Sequence, residues 1–350
     1  MSEIVLGVGA SHSTLMNTDW DKVDHLDGAH RFRAGLERAR DRLRAAAPDT
    51  VVVIGSNHFR GFFLDLMPAF TVGVGEVLGA GEAGTPRGPL PADTGLARHL
   101  VTSLVDDGFD PAFSLRLTVD HGITHGLQHL VPDLDVPVVP IVINMFAPPL
   151  PSPRRCHGLG AAIGRAVAAD GAGRRVAVIA SGGLSHRLPW PKWFETLSDD
   201  DRFLVEAWLN GRGSWGDYEV RRRQIIRAAE ADINPSFDEA FLKLVEEGDL
   251  GPVLDRTAAG IEAEAATARR RSAPGSRCSP PSDPARAVRP SPTPPSPNGS
   301  PEWASPSSSP LPTPRRRTHE HLDRPRRRGP RRPLRERGRR PHAGAPGRDG

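Results

Sequence analysis

Three short runs of apolar, largely β-branched residues constrain the fold more than any other feature of this sequence. They span Thr50–Ile54, Val136–Asn144 and Arg175–Ala180. Strands that are apolar on both faces are typical of a parallel sheet that helices cover on both sides. Two further strands are predicted at Ile4–Gly9 and Phe70–Gly75.

Helical patterns alternate with these strands. Residues Arg31 to Ala46 place apolar side chains on one stripe, Asp93 can cap a second helix, and an amphipathic helix covers Leu159 to Ala168. Residues 198–264 are predicted to be mostly helical. This alternation predicts an α/β fold with a largely parallel central sheet and helices on both faces, followed by a helical segment and a disordered C-terminal tail.

Several histidines lie just past the carboxyl ends of predicted strands, which is where parallel sheets of this kind usually have their active sites. His12, His58 and His186 each follow a predicted strand, and His121 lies in a loop after the extended stretch Ala112–Val119. Neutral imidazole is a common metal ligand and a natural acid or base near neutral pH. Two imidazoles and a carboxylate form the iron site of non-haem Fe(II) oxygenases. Spacing alone leaves structural histidines, an iron oxygenase and a zinc hydrolase open.

Two further pairs of residues are given a structural interpretation. His125 and His129 follow His121 at four-residue intervals, and both are predicted to be surface residues of a helix. Trp190 and Trp193 can wall an aromatic pocket, but a structural role, in the core or in a packed lid, is the favoured prediction.

Charge divides the chain into two unlike parts. Residues 266–350 hold 20 Arg, no Lys and six acidic residues, for a formal charge of +14, whereas residues 1–265 carry −10. The basic pI is therefore a property of the tail and does not make the front part a nucleic-acid binder. The chain has no apolar run long enough to span a membrane, no signal-peptide pattern and only two Cys, which predicts a cytoplasmic protein.

Six ordered motifs make the sequence resemble a known family. They are Ser11-His12-Ser13, Asn57-His58-Phe59-Arg60-Gly61-Phe62-Phe63, Met67-Pro68-Ala69-Phe70, Val119-Asp120-His121-Gly122, Ser181-Gly182-Gly183-Leu184-Ser185-His186 and Asn234-Pro235-Ser236-Phe237-Asp238. By these motifs the chain is similar to class III extradiol ring-cleavage dioxygenases of the protocatechuate 4,5-dioxygenase beta-chain type, and the resemblance covers roughly residues 3–265.

The resemblance implies a reaction and a set of roles. His12 and His58 match the two histidines that bind Fe(II), His121 matches the proton donor, and His186 matches the proton acceptor. The implied substrates are O₂ and a catechol with a carboxylate side chain, such as 3-(2,3-dihydroxyphenyl)propanoate or 2,3-dihydroxycinnamate. Arg60 is a candidate contact for that carboxylate, although a solvated surface Arg is the more common outcome. The resemblance also implies a homo-oligomer.

Supporting roles follow for two neighbours of the matched histidines. Asp120 is expected to orient His121, and Asn57 is expected to support His58.

The family's third iron ligand is missing from its expected place. It is a Glu in a stretch resembling Gly-x-x-x-x-Glu-Ile-Arg-Thr-Trp, expected near residue 266, and no Glu occurs there; Asp238 and Glu239 do not match its position. One permitted choice of codons for residues 265–277, read from its third base, encodes Gly-Asn-Gly-Ala-Gln-Glu-Ile-Arg-Thr-Trp. We therefore predict a frameshift near Ala265.

The frameshift hypothesis divides the chain into a catalytic domain and a tail. Residues 1–265 form an extradiol dioxygenase-like catalytic domain truncated at its C-terminal end, and residues 266–350 form a disordered Arg/Pro/Ser-rich tail. Two alternatives remain open. The chain can be a catalytically impaired member that lacks its third iron ligand, or the basic tail can bind nucleic acid. The second is disfavoured because such a composition specifies neither a fold nor a target.

Overall fold

The computed structural model describes residues 1–23, 25–186, 189–190, 193–195, 197–229, 233–267 and 287–288. The division at residue 265 and nucleic-acid binding by the tail therefore stay predictions, because nearly all of the tail lies outside the described residues. Among the helices that are described, none is long and apolar enough to cross a membrane.

The central sheet is mixed but mostly parallel, as the sequence predicted. Strands β6, β2, β7 and β1 are parallel neighbours in that order; β3 joins β6 in the antiparallel sense, β4 pairs antiparallel with β3, and β5 pairs parallel with β3. A two-residue strand, β8, pairs antiparallel with β1. The strand bounds are β1 Glu3–Ala10, β2 Thr50–Ser56, β3 Phe70–Ala80, β4 Arg87–Leu90, β5 Ala112–Val119, β6 Val138–Ile143, β7 Arg175–Ser181 and β8 Ala287–Val288.

Helices connect these strands and then form a C-terminal helical segment, which confirms the helical prediction for residues 198–264. The cap predicted at Asp93 is also confirmed, because its carboxylate accepts a hydrogen bond from the Leu96 N–H at 2.8 Å. The helix bounds are α1 Leu15–Thr18, α2 Leu26–Ala46, α3 Thr94–Asp106, α4 His121–Leu130, α5 Pro153–Ala169, α6 Asp199–Asn210, α7 Trp215–Ala228, α8 Pro235–Glu247, α9 Gly251–Leu254 and α10 Ala258–Thr267, with 3₁₀ turns at Trp20–Lys22 and Glu82–Gly84.

Both faces of the sheet are buried, as the apolar runs predicted. Alternate residues of β2 point to opposite faces, so Val51 and Val53 join a core with α2 and α4, whereas Val52 joins a core with α3 and α5. The three valines are fully buried. Because helices cover both faces, the loops at the carboxyl ends of the strands remain the place for polar chemistry.

Candidate active site

The sheet order brings the loops after three strands together. Strands β2, β7 and β1 are adjacent and parallel, so their carboxyl ends lie at one edge of the sheet. His12 follows β1, His58 follows β2 and His186 follows β7. The expectation that the strand-end histidines share one region therefore has a topological basis.

Three of the four predicted histidines form a tight cluster, made of His12, His58 and His121. The ring centroids of His12 and His58 are 4.9 Å apart, those of His12 and His121 are 5.6 Å apart, and those of His58 and His121 are 3.9 Å apart. One ligand nitrogen from each ring lies within 4.8 Å of the other two. This spacing allows the three side chains to face one small cation.

His121 lies at the start of a helix rather than in the loop that the sequence predicted. Asp120 is the N-cap of α4, and its Oδ1 accepts a hydrogen bond from the Gly122 N–H at 2.9 Å. A β-carbon at Gly122 would collide with the carbonyl oxygen of Ser56, and one at Gly55 would collide with the carbonyl of Gly122. The two glycines thus let the end of β2 meet the start of α4, which brings His58 beside His121.

Asp120 holds His58, not His121 as the sequence suggested. Its Oδ1 is 3.0 Å from His58 Nδ1, and its Oδ2 accepts a hydrogen bond from the His58 backbone N–H. Burial works to raise the pKa of Asp120, but His58 and His121 outweigh it and hold that pKa below its usual value. Asn57 makes its hydrogen bonds to the backbone of Phe62 rather than to His58.

Glu82 is the partner of His121, and the sequence analysis missed it. Its Oε1 accepts hydrogen bonds from the His121 N–H at 2.6 Å and from the His121 Nδ1 at 3.0 Å. The pKa of Glu82 is lowered: burial opposes the shift, and the hydrogen bond to His121 causes it. The only signal was an acidic residue within a short Gly-rich turn, Gly81-Glu82-Ala83-Gly84, which is usually solvated.

Each ring of the cluster is held through Nδ1. Ser181 Oγ lies 3.1 Å from Nδ1 of His12. Asp120 holds His58 and Glu82 holds His121 through the same ring atom. Burial lowers the pKa of His12 to about 3, with His58 and His121 adding to the effect, and burial also lowers the pKa of His58. These two imidazoles are therefore neutral at physiological pH, which is the form that binds a metal.

The donor set fits a divalent metal ion of the kind the family implies. Three imidazole nitrogens converge, and the Asp120 and Glu82 carboxylates supply negative charge behind two of the rings. In the described part of the chain, no carboxylate oxygen belongs to the cluster of His12, His58 and His121 itself. This agrees with the absence of the family Glu from its expected position in the sequence.

His186 lies on an exposed loop and is not a member of the histidine cluster. Its Nδ1 is 2.9 Å from the carbonyl oxygen of Leu184. Asp238 ties this loop to α8, because its carboxylate accepts hydrogen bonds from the Ser185 N–H at 2.7 Å and the Ser185 hydroxyl at 2.9 Å. Asp238 therefore anchors the loop.

Arg60 lies two residues beyond His58 and is partly buried. Its guanidinium carbon stacks 4.3 Å from the ring centroid of Trp215, and its Nη1 donates to the Phe59 carbonyl at 3.2 Å. Burial lowers its pKa. Arg60 is therefore not the solvated surface residue that the sequence offered as the more common outcome.

Aromatic side chains border the cluster. The Phe146 ring lies 4.9 Å from His58 and 4.4 Å from Trp190, which in turn packs against Phe59 and Trp208. Trp190 therefore belongs to an aromatic core, as favoured from the sequence. Trp193 is exposed and donates through Nε1–H to the carbonyl of Pro148 at 2.7 Å.

The prediction that His125 is a surface residue is wrong. His125 is only 1 % exposed, because α4 is buried on nearly all sides, with every residue from Gly122 to Leu127 buried. Its ring lies 4.5 Å from that of the partly buried His129. Burial lowers the pKa of His125 to about 4, and His129 and His121 add to the effect.

Comparisons with known proteins give a consistent result. A family model described as the catalytic LigB subunit of aromatic ring-opening dioxygenase matches residues 7–272. Proteins named 2,3-dihydroxyphenylpropionate/2,3-dihydroxicinnamic acid 1,2-dioxygenase are similar in sequence. The one from Burkholderia vietnamiensis is 37% identical over 65% of this chain and 74% of its own length. The one from Cupriavidus necator is 36% identical over 65% of this chain and 75% of its own length. The one from a Mycobacterium species is 36% identical over 68% of this chain and 76% of its own length.

The matched region contains the histidine cluster and the elements that build it. The matches confirm the resemblance that the sequence motifs indicated, and about a quarter of each relative lies outside the matched segment. The chain belongs to the LigB family of aromatic ring-opening dioxygenases and is an extradiol dioxygenase.

Proposed function

We propose that this protein opens the ring of a catechol beside its two hydroxyl groups, using Fe(II) and O₂. The observation that carries the proposal is the convergence of three rings, each held through Nδ1: His12 and His58, which follow the parallel strands β1 and β2, and His121 at the start of α4. His12 and His58 are the proposed iron ligands. When bound by His12 and His58, Fe(II) would supply the positive charge that favours the deprotonated catechol and would activate O₂.

The protein's own part in the reaction is to move protons. A catechol must lose a hydroxyl proton to bind as a catecholate, and His186 is the proposed acceptor. The exposed loop of His186 is anchored by Asp238, so the side chain is available to an incoming substrate. His121 is the proposed donor: after taking up a proton from solvent at Nε2, it passes that proton to the oxygen that departs as the ring opens. Each such transfer is typically worth about 10²–10⁴ in rate.

The proposed substrates are 3-(2,3-dihydroxyphenyl)propanoate and 2,3-dihydroxycinnamate, which the names of the similar proteins include in closely related form. Arg60 is the proposed contact of the side-chain carboxylate. Its support is a permanent positive charge, partly buried and two residues from His58. The predictions of a cytoplasmic location and a homo-oligomer stay predictions.

The test is O₂ consumption together with product analysis. The protein, loaded anaerobically with Fe(II), is mixed with 3-(2,3-dihydroxyphenyl)propanoate in air. The expected result is uptake of one O₂ per substrate and a product that contains both oxygen atoms as a ring-opened dienedioate. Substrate consumption without O₂ uptake, or an intact aromatic ring in the product, would refute the proposal.

A second candidate is a catalytically impaired member of the family. It is favoured by the absence of a carboxylate from the described histidine cluster and by the missing family Glu. A carboxylate supplies both a ligand and charge neutralisation, so its loss weakens iron binding. Resequencing the gene around the codon of Ala265 and assaying the frame-repaired protein separates the two. Regained iron and activity only after repair would support the impaired state for this polypeptide and ring cleavage for the repaired one.

A further inference from the structure

Glu82 makes two hydrogen bonds to one histidine. Its Oε1 accepts from both the backbone N–H and the ring Nδ1 of His121, at 2.6 and 3.0 Å. The side chains of Glu82 and His121 are only 17 % and 21 % exposed. A carboxylate that accepts from Nδ1–H fixes the neutral imidazole in one tautomer, with its lone pair on Nε2.

The turn that carries Glu82 is built with unusual backbone conformations. Gly81, Ala83 and Gly84 all have positive φ, at 74°, 50° and 73°. For Ala83 this left-handed conformation is unfavourable, because its β-carbon comes close to the following carbonyl oxygen. Contacts from other elements hold the turn: Asn17 donates to the Ala83 carbonyl and Gln128 to the Gly84 carbonyl, each at 3.1 Å. The turn is therefore fixed against α1 and α4, and Glu82 has a defined position.

The stacking of His121 on His58 fixes the plane of its ring. The two rings lie 25° from parallel, so the ring of His121 cannot turn freely about its own bonds. With Nδ1 directed to Glu82, Nε2 must lie on the opposite edge of the ring. Asp120 holds His58 in the same manner, which places two equivalent carboxylate–imidazole pairs side by side.

We propose that Glu82 is the positioning residue of His121, which fixes its Nδ1–H tautomer and presents Nε2 to the substrate. The description of Nε2 as the atom that meets substrate rests on the proposed function, whereas the tautomer is a property of the protein alone. Glu82 touches neither iron nor substrate in this account. Its effect on ring opening acts entirely through the orientation of His121.

The competing explanation is a purely structural role. The bond from the His121 backbone N–H to Glu82 also satisfies an unpaired donor in the first turn of α4, so its loss can destabilise the helix without affecting the ring. A decisive experiment must therefore observe the imidazole itself.

The test is the two-bond ¹⁵N–¹H spectrum of the histidine side chains in the metal-free protein. His121→Gln identifies the His121 signals, and Glu82→Ala, Glu82→Gln and the control Glu76→Gln are compared with the unaltered protein. Glu76 is exposed on β3, where it pairs with Arg116. We expect His121 to show the Nδ1–H tautomer in the unaltered protein and in the Glu76 variant, and a mixture of tautomers in Glu82→Ala. Glu82→Gln keeps a carbonyl acceptor and should largely restore the single tautomer.

Unchanged His121 signals in Glu82→Ala would overturn the proposal. Should Glu82→Ala fail to fold, Glu82→Gln is compared with Glu82→Asp instead, because the shorter Asp side chain cannot reach Nδ1 of His121 from the same position. A single, unchanged tautomer of His121 in Glu82→Asp would also contradict the proposal. Since these spectra need neither iron nor catechol, they remain informative if ring cleavage is refuted. In an active protein, Glu82→Ala should lower kcat about tenfold or more in the presence of His121 and leave it nearly unchanged in a His121→Gln background.

Discussion

The imidazole rings of His58 and His121 lie stacked, with centroids 3.9 Å apart and planes 25° from parallel. Each ring has its own carboxylate partner on Nδ1, Asp120 for His58 and Glu82 for His121. The proposed metal ligand His58 and the proposed proton donor His121 are therefore held in the same way, by a carboxylate on Nδ1. His121 can donate from Nε2 only after that atom has taken up a proton, and the Glu82 carboxylate on Nδ1 stabilises the imidazolium that results.

Loss of His12 should abolish tight iron binding. The ring is buried and neutral, and Ser181 holds its Nδ1, so its Nε2 is the atom available to a metal. Anaerobic Fe(II) titration of His12→Ala should show at least tenfold weaker binding than the unaltered protein. His157→Ala on the exposed surface of α5 serves as the control. Equal affinity in the two variants would remove His12 from the metal site.

Replacement of His186 should slow ring opening without removing the metal. His186 lies outside the histidine cluster and is exposed, so His186→Gln leaves the other three rings in place. We expect kcat to fall by about 10²–10⁴, the usual value of a general base. Iron content measured on the same preparation should be unchanged. A variant with full kcat would exclude His186 as the proton acceptor.

Gly122→Ala should separate His58 from His121. The added β-carbon would meet the carbonyl oxygen of Ser56, and overpacking of this kind typically costs about 1–3 kcal/mol. Urea unfolding and the rate of ring opening should both report the damage. Gly160→Ala on the exposed face of α5, where a β-carbon meets nothing within 4 Å, is the matched control and should be neutral or slightly stabilising. Equal stability of the two variants would contradict the close approach of Gly122 to the carbonyl oxygen of Ser56.

The buried His125 should make stability depend on pH. Its pKa is about 4 in the folded protein and 6.5 in the unfolded chain, so the unfolded chain binds the proton first as pH falls. The contribution of His125 to stability is therefore fully present above pH 6.5 and is lost progressively toward pH 4. The contribution of this residue between pH 7 and pH 5 is about 2 kcal/mol. Urea unfolding of His125→Gln should show a smaller loss over that interval, and an equal loss would contradict the assignment.

The apolar runs were sufficient to predict the parallel part of the sheet. Thr50–Ile54 and Arg175–Ala180 fall within β2 and β7, because burial on both faces leaves a continuous apolar signal. The antiparallel pairing of β3 with β4 and β6 had no comparable signal. Strand β4 is four residues long, with the sequence Arg-Gly-Pro-Leu, and its role emerges only from tertiary pairing.

Of the four histidines that the sequence singled out, the structure brings three together and leaves His186 outside, and their partners were not predicted. Strand-end position and motif pattern identified His12 and His58, whereas the bond from Glu82 to His121 joins residues 39 positions apart through a tertiary contact. Asp120 was paired with its sequence neighbour, although the turn into α4 directs its carboxylate to His58. The burial of His125 was missed because the apolar face of α4 is wider than its spacing indicated.

The most direct test of the account is ring cleavage under oxygen-18. The Fe(II)-loaded chain and its frame-repaired form are each given 3-(2,3-dihydroxyphenyl)propanoate and ¹⁸O₂, and the products are analysed by mass spectrometry. The account predicts a ring-opened dienedioate that carries both labelled oxygen atoms, formed by the frame-repaired protein at least as fast as by the chain with its present tail. Absence of that product from both proteins, or a product with one labelled atom and an intact ring, would contradict it.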